Sequence, residues 1–394
     1  MTSKTRNILA LIVILLVGIK GIASMEKAQK GMPGTADWRA YWSASQLARA
    51  GENPYDEAKL RAVERTVGLG ENDLTVRMWN PPWVLAALAP ATLLPFFASA
   101  KLWMILNLAS MLICATVVWK IVAIPSNRER FAVSWAATAA FVPLLFMLHM
   151  GQISGILLIG VVGFLACMER GRSAGAGAFL ALTLIKPHVV HLVWIAAIWW
   201  MIREREWNFA LGTSTVLGSA TACLAIFAPK SIEGYRRILQ HPPLFYRTPT
   251  VGGILREIAF QDRPGIPIAF ALASGVIFLM ILILKRPILV WKRDLGPILL
   301  ASIPSAAYGW CFDQAVLLIP YLMIVARLTA SDRPLVTTRK LIVVAVLIAT
   351  GAGMIAQNIC GMNDVYLFWP PLALAVAFGL TVPRKGRIFK KAFL

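Results

Sequence analysis

A ladder of apolar segments, each close to the length of a bilayer crossing and separated by short basic stretches, constrains this chain more than any other feature. About 20 apolar residues carry an α-helix across the hydrocarbon core, and a chain that crosses there must satisfy its backbone groups internally. Along the 394 residues this criterion predicts an all-α, polytopic membrane protein with about twelve spans. Their limits are 7–24, 99–122, 131–148, 151–169, 174–187, 189–202, 208–228, 266–284, 295–309, 314–328, 339–358 and 364–382. Hydrophobic residues make up 58% of the chain, against roughly 45–50% in soluble domains. No internal repeat or low-complexity tract divides it, so residues 1–394 read as one integral membrane unit.

The formal charge of +20 would suggest nucleic acid in a soluble protein. Here the cations sit mainly in short segments between apolar runs, where they set topology, and nucleic acid is excluded as a partner. Lys4 and Arg6, Arg128/Arg130, Arg170/Arg172, Arg203/Arg205, Lys285 to Arg293, Arg333 to Lys340 and the tail Arg384 to Lys391 all fall on one side. Both termini are therefore expected to be cytoplasmic, with 7–24 an uncleaved signal anchor. That parity holds when the apolar segment 81–97, broken by four prolines, is a juxtamembrane or re-entrant helix rather than a span.

The opposite, extracytoplasmic face receives the long loop 25–98, the turn 149–152, the tip 186–188, the second long loop 229–265, the turn 312–314 and residues 361–364. Their shared surface predicts a single cavity. Loop 229–265, with Arg236, Arg237, Arg247, Arg256, Arg263 and Pro242-Pro243, reads either as a headgroup-snorkelling surface or as a substrate-capturing one.

Chemistry concentrates first in Gly34-Thr-Ala-Asp-Trp-Arg-Ala-Tyr-Trp42 and Gly51-Glu-Asn-Pro-Tyr55. A carboxylate beside aromatics at a membrane surface is costly unless paired or used, which makes Asp37 the first catalytic candidate, with a helix-capping aspartate as the competing reading. Lys186 interrupts an apolar hairpin just before Pro187 and is a candidate for binding an anion, or for snorkelling. Arg39, His149 and His188 are further cationic or hydrogen-bonding candidates, and Gln152, Asp313, Tyr41, Tyr55 and Arg247 are polar groups in the same set of segments. Trp38, Trp42 and Trp79 suit either stacking on a ligand or an interfacial aromatic belt. The five cysteines lie in or beside apolar segments without ligand spacing, and no metal or other cofactor is expected.

Asp37 with Tyr41, Gly51-Glu-Asn-Pro-Tyr55, Asn80-Pro-Pro82, Leu94-Pro95, Leu102-Trp103, Gly151-Gln152, Lys186-Pro187 and Tyr308-Gly-Trp-Cys-Phe-Asp-Gln314, in that order among the spans, resemble the GT-C superfamily of membrane glycosyltransferases. The likeness is strongest to glycosyltransferase family 87, which includes bacterial mannosyltransferases using polyprenol-phosphate sugars. Near Trp310 the mycobacterial members look like Ser-Trp-x-His-His, whereas this chain has Cys311-Phe-Asp-Gln314.

The resemblance implies inverting transfer of a sugar, mannose or a pentose such as arabinose, from a polyprenyl-monophosphate donor to a glycan or glycolipid hydroxyl. It places the enzyme in the bilayer of a bacterial inner membrane, with its site extracytoplasmic. On that resemblance Asp37 holds the family's base position, Lys186 with Arg39, His149 and His188 faces the leaving phosphate, and Tyr41, Gln152, Asp313, Tyr55 and Arg247 meet the sugar or acceptor. A transporter or flippase for a lipid-linked sugar is the main alternative, and a noncatalytic scaffold of envelope assembly is the third.

Overall fold

The computed structural model describes residues 34–124, 129–240, 246–330 and 335–382. The expected anchor 7–24, Lys4, Arg6, Arg128, Pro242-Pro243, Arg333 and the tail from Arg384 lie outside them. Among the described residues the chain is helical throughout, with no strand.

Six helices are long and apolar enough to cross a membrane: α4 (Phe96–Val122), α10 (Trp207–Phe227), α13 (Ile266–Lys285), the unit Cys311–Leu328 that ends in α15 (Leu318–Leu328), α16 (Thr337–Ile359) and the unit Asp364–Thr381 that ends in α17 (Pro370–Thr381). Residues 131–148 form a seventh only as a pair, α5 (Phe131–Ala139) and α6 (Val142–Met150), bent by 60°. The break falls where Pro143, which lacks an N–H, opens α6. Other apolar stretches make shorter helices: α7 (Ser154–Met168), α8 (Ser173–Ala181), α9 (His191–Glu204) and α14 (Trp291–Ser302). Among the described residues six helices, or seven with the bent pair taken as one, are thus long and apolar enough to cross, and shorter apolar helices account for others of the expected spans. Segment 81–97 does hold a short helix, α3 (Trp83–Thr92), ending before Pro95 opens α4.

Burial separates the helices by role. In the unit Cys311–Leu328, 83% of the apolar window is buried, against 11% in α10 and 17% in α13 and α16. The first is the axis of the bundle. The others expose Leu211, Ile226, Leu272, Leu284 and Ile348, as helices bordered by lipid rather than water do.

Small residues set the closest approach. A Cβ on Gly177 of α8 would stand 2.0 Å from the Phe209 carbonyl, and one on Gly212 of α10 1.9 Å from that of Ala174, so the two backbones touch in the manner of membrane helix pairs.

The basic ends of the helices gather away from the loops. Arg203, in the last turn of α9, donates to the carbonyls of Arg286 and Pro287 at 2.7 and 2.9 Å. Lys292 pairs with Glu169 at 3.7 Å. A helix of α9's length spans about 21 Å, which separates this basic end from His188 at the start of the same hairpin arm.

Candidate active site

At the loop end, a cavity of about 460 Å³ receives residues from all six segments expected to converge: Asp37 and Tyr41 with Arg77 and Asn80, Met150 and Gln152, Ile185 to His188, Tyr235 and Tyr246, and finally Tyr308, Trp310 and Phe312 with Asp364. Three local structures build it.

The first is α1 (Ala36–Arg49). Its first turn carries Asp37, and Tyr41 follows four residues later on the same face. Trp38 anchors the helix to α4, stacked on Trp103 at 4.6 Å and donating to Ser99 at 3.0 Å. It is a packing group rather than a sugar platform. Trp42 likewise donates to the carbonyl of Leu94 at 3.0 Å.

The second is the turn after α6. Gly151 ends that helix with φ +71°, and a Cβ there would lie 2.2 Å from the carbonyl oxygen of Gly34, so both conformation and space require glycine. The turn projects Gln152, whose carbonyl accepts from Trp103 Nε1 at 3.2 Å and Asn107 Nδ2 at 3.1 Å.

The third is the broken hairpin at Lys186. Pro187 disfavours helical ψ in the residue before it, and Lys186 sits at φ −147°, ψ 65° between two 3-10 turns, Leu182–Ile185 and Pro187–Val190. The break frees backbone carbonyls. Asn80 Nδ2 donates to that of Ile185 at 3.1 Å, and Trp83 Nε1 to that of Leu184 at 3.3 Å. The Asn80-Pro-Pro-Trp83 motif therefore serves as the cap of the interrupted hairpin, and Tyr55 holds it by donating to the carbonyl of Asn80 at 2.8 Å.

Gln152 joins the three. Its amide nitrogen donates to Asp37 Oδ2 at 2.6 Å, while its amide oxygen accepts from Tyr41 and Lys186, each at 3.1 Å. Two donors on one side and a carboxylate on the other dictate which way the amide points. Lys186 also donates to Asp313 Oδ1 at 2.7 Å, and both side chains are buried. Asp313 accepts further from Ser154 at 2.7 Å and from the Trp310 N–H at 3.0 Å. Asp313 is thus a support beneath Lys186 and not a wall of the cavity.

Electrostatics follow from this packing. Burial pushes the Asp37 carboxyl up to about 6, against the Gln152 hydrogen bond and the Lys186 charge, which favour ionisation. Among the described residues nothing bonds to its second oxygen. Burial brings the His188 imidazole down to about 3, so the ring, stacked on Tyr308 at 3.9 Å, offers hydrogen bonds and no charge. Lys186, its Nζ 4.8 Å from the Phe312 ring centroid, keeps one of its three N–H groups free of the two acceptors above.

Other expected site residues fall elsewhere. Arg39 does not pair with Asp37 or line the cavity; its Nε is buried without a partner. Burial raises the Glu64 carboxyl to about 7, opposed by the Val76 N–H and the Arg39 charge. His149 is outside the lining, and its carbonyl accepts the Gly34 N–H at 2.7 Å. Arg247 pairs with Glu257 at 3.3 Å and borders a neighbouring groove. Tyr55 lies behind the cavity against Tyr235. Two lining residues are given no role of their own by the sequence: Arg77, paired with Glu57 and set 5.8 Å from the Trp79 ring, and Asp364, which ends the expected segment 361–364. No three His, Cys, Asp or Glu side chains among the described residues gather as a metal site.

A family model described as glycosyltransferase family 87 matches residues 79–301. The chain belongs to that family. It is a glycosyltransferase built on membrane-type helices. The matched stretch holds Asn80, Gln152 and Lys186; Asp37 and Asp313 lie beyond it and join the site through hydrogen bonds to Gln152 and Lys186. No curated protein and no solved structure matches the chain.

Proposed function

We propose that this family 87 glycosyltransferase moves a sugar from a polyprenyl-monophosphate donor to an acceptor hydroxyl, with inversion and with Asp37 as general base. The observation that carries the reading is the Gln152 relay: one amide holds a half-buried carboxylate on its nitrogen and a lysine on its oxygen, inside one cavity. The acceptor O–H proton passes to the free oxygen of Asp37 as the acceptor oxygen bonds to the anomeric carbon. The C1–O bond to phosphate breaks with its electron pair, and polyprenyl phosphate leaves. Carboxylate bases of this kind serve glycosyl transfer through oxocarbenium-like transition states.

Lys186 and Arg77, the cations lining the cavity among the described residues, suit the leaving phosphate. The neutral His188 adds a hydrogen bond. The topology belongs to the same proposal: about twelve spans, both termini cytoplasmic, the cavity on the extracytoplasmic face of a bacterial inner membrane. There a nucleotide sugar is largely absent, and a lipid-carried donor supplies the sugar.

The test uses the purified full chain in liposomes with radiolabelled polyprenyl-phosphate sugars, mannose and arabinose among them. Consumption of at least one donor is expected; none consumed across the panel would move a carrier for lipid-linked sugars to the front. The reaction needs no divalent cation in this reading, since a monophosphate leaving group faces fixed protein cations. Transfer in excess chelator is expected to stay at its full rate, and complete loss would refute metal independence.

A further inference from the structure

The cavity does not end at its inner wall. A second groove of about 430 Å³ runs outward from it, and Tyr246, Trp310 and Asp364 line both. Arg247 and Asn363 complete the outer groove.

Each of these residues is held by something other than the groove's contents. Trp310 stacks on Phe312 with an angle of 11° between the rings, and Tyr246 stands edge-on to it at 6.2 Å. Arg247 has its charge met by Glu257 at 3.3 Å. Asn363 is used in capping the 3-10 turn Asp364–Phe368, accepting the Val365 N–H at 3.1 Å. Asp364 is the exception. It is touched only by the weak donor Cys311 Sγ, 3.9 Å from Oδ2, and its other oxygen has no bonding partner among the described residues. A carboxylate at a junction between two cavities, beside a fixed indole face, is an underused acceptor.

The chemistry that fits is a saccharide. An ionised carboxylate accepts two hydroxyl donors at once, which matches a vicinal diol, and the C–H face of a pyranose or furanose lies well on an aromatic plane. The direction fits too. An acceptor hydroxyl must reach Asp37 by a path that leaves the cations Lys186 and Arg77 to the donor phosphate, and the outer groove enters on the side that bears the Asp364 carboxylate, where Arg247 is already paired with Glu257.

Building on the assignment of Asp37 as base, we propose that the outer groove is the acceptor subsite, holding a sugar by its vicinal diol on Asp364 and its apolar face on Trp310. Asp364 then selects the acceptor and takes no proton from it.

The test measures steady-state kinetics of the full chain in liposomes with the active donor and two series of acceptor probes, n-octyl and methyl glycosides of mannose, glucose and arabinose. Asp364→Asn is expected to raise the acceptor KM about tenfold, the loss typical of a hydrogen bond to a charged group. Donor KM and turnover at saturating acceptor stay near wild type, which also shows that the variant is folded. Deoxy probes lacking one hydroxyl of the diol should be equally poor on both forms. The dependence is expected in both series, and the series with the lower KM tells whether the saccharide arrives on a lipid or free. Donor consumed with an acceptor KM indifferent to Asp364, with a donor KM rising in step, or with no glycoside accepted would overturn the subsite alone. No donor consumption by wild type would overturn the glycosyl-transfer reading beneath it.

Discussion

Asparagine at position 37 is expected to cut turnover roughly 10³-fold, within the range a positioned general base contributes, while donor binding stays intact. The two side chains share a shape, and the Gln152 amide that donates to Asp37 at 2.6 Å can donate equally to the asparagine carbonyl. What disappears is the lone pair that takes the acceptor proton. The wild-type pH profile gives a second reading of the same group. Because burial raises Asp37 to about 6, kcat/KM should climb as pH rises through that value and level off above it.

Stability has the opposite sign. Between the ordinary 3.8 and about 6 the folded protein keeps a proton that the unfolded chain has lost, so the contribution of Asp37 to stability falls as pH rises through that window. Transfer of radiolabelled sugar by both forms, across pH and at matched donor occupancy, decides the matter. An asparagine variant that keeps its turnover would remove Asp37 from the base role.

The long helices were legible because a run of some 20 apolar residues has few alternatives. Helices α4, α10, α13 and α16 begin and end within a few residues of the expected limits. The bend in 131–148 was not, because an apolar count is blind to direction: both halves are apolar and only Pro143 marks the break. Helix α14 starts at Trp291, ahead of the expected 295, because its first turn includes Lys292, Arg293 and Asp294, which a hydropathy criterion discards.

At the site, parity alone located six segments on one surface, and all six line the cavity. The individual residues were harder to place. Arg39 is two positions from Asp37, which on a helix means nearly opposite faces, whereas Tyr41, four positions on, shares the face and meets Gln152. Asn80-Pro-Pro82 was visible as a motif, but its task of capping the hairpin at Ile185 is a contact across 105 residues. Arg77 stands in an irregular segment without periodicity, and only the cavity reveals it; Asp364 lies in the expected segment 361–364, but only the cavity gives it a role.

Lys186→Met is expected to have the largest effect on stability. Lys186 and Asp313 are a buried pair at 2.7 Å, and removing one member of such a pair typically costs about 3–5 kcal/mol, because the partner charge is left without compensation. The remaining donors to Asp313, the Ser154 hydroxyl and the Trp310 N–H, cannot neutralise a full charge. A second substitution separates this cost from function. Asp313→Asn in the Lys186→Met background removes the stranded charge, keeps the Trp310 N–H bonded to the amide oxygen, and lets the Ser154 hydroxyl rotate to accept from the amide nitrogen. Thermal unfolding in detergent, followed by tryptophan fluorescence, should show a lower midpoint for Lys186→Met and substantial recovery in the double variant. Sugar transfer should recover in neither, since both lack the cation that faces the leaving phosphate. Additive losses of stability would mean the pair is not coupled as its geometry implies. Restored transfer in the double variant would mean that Lys186 only balances Asp313 and that Arg77 alone meets the phosphate.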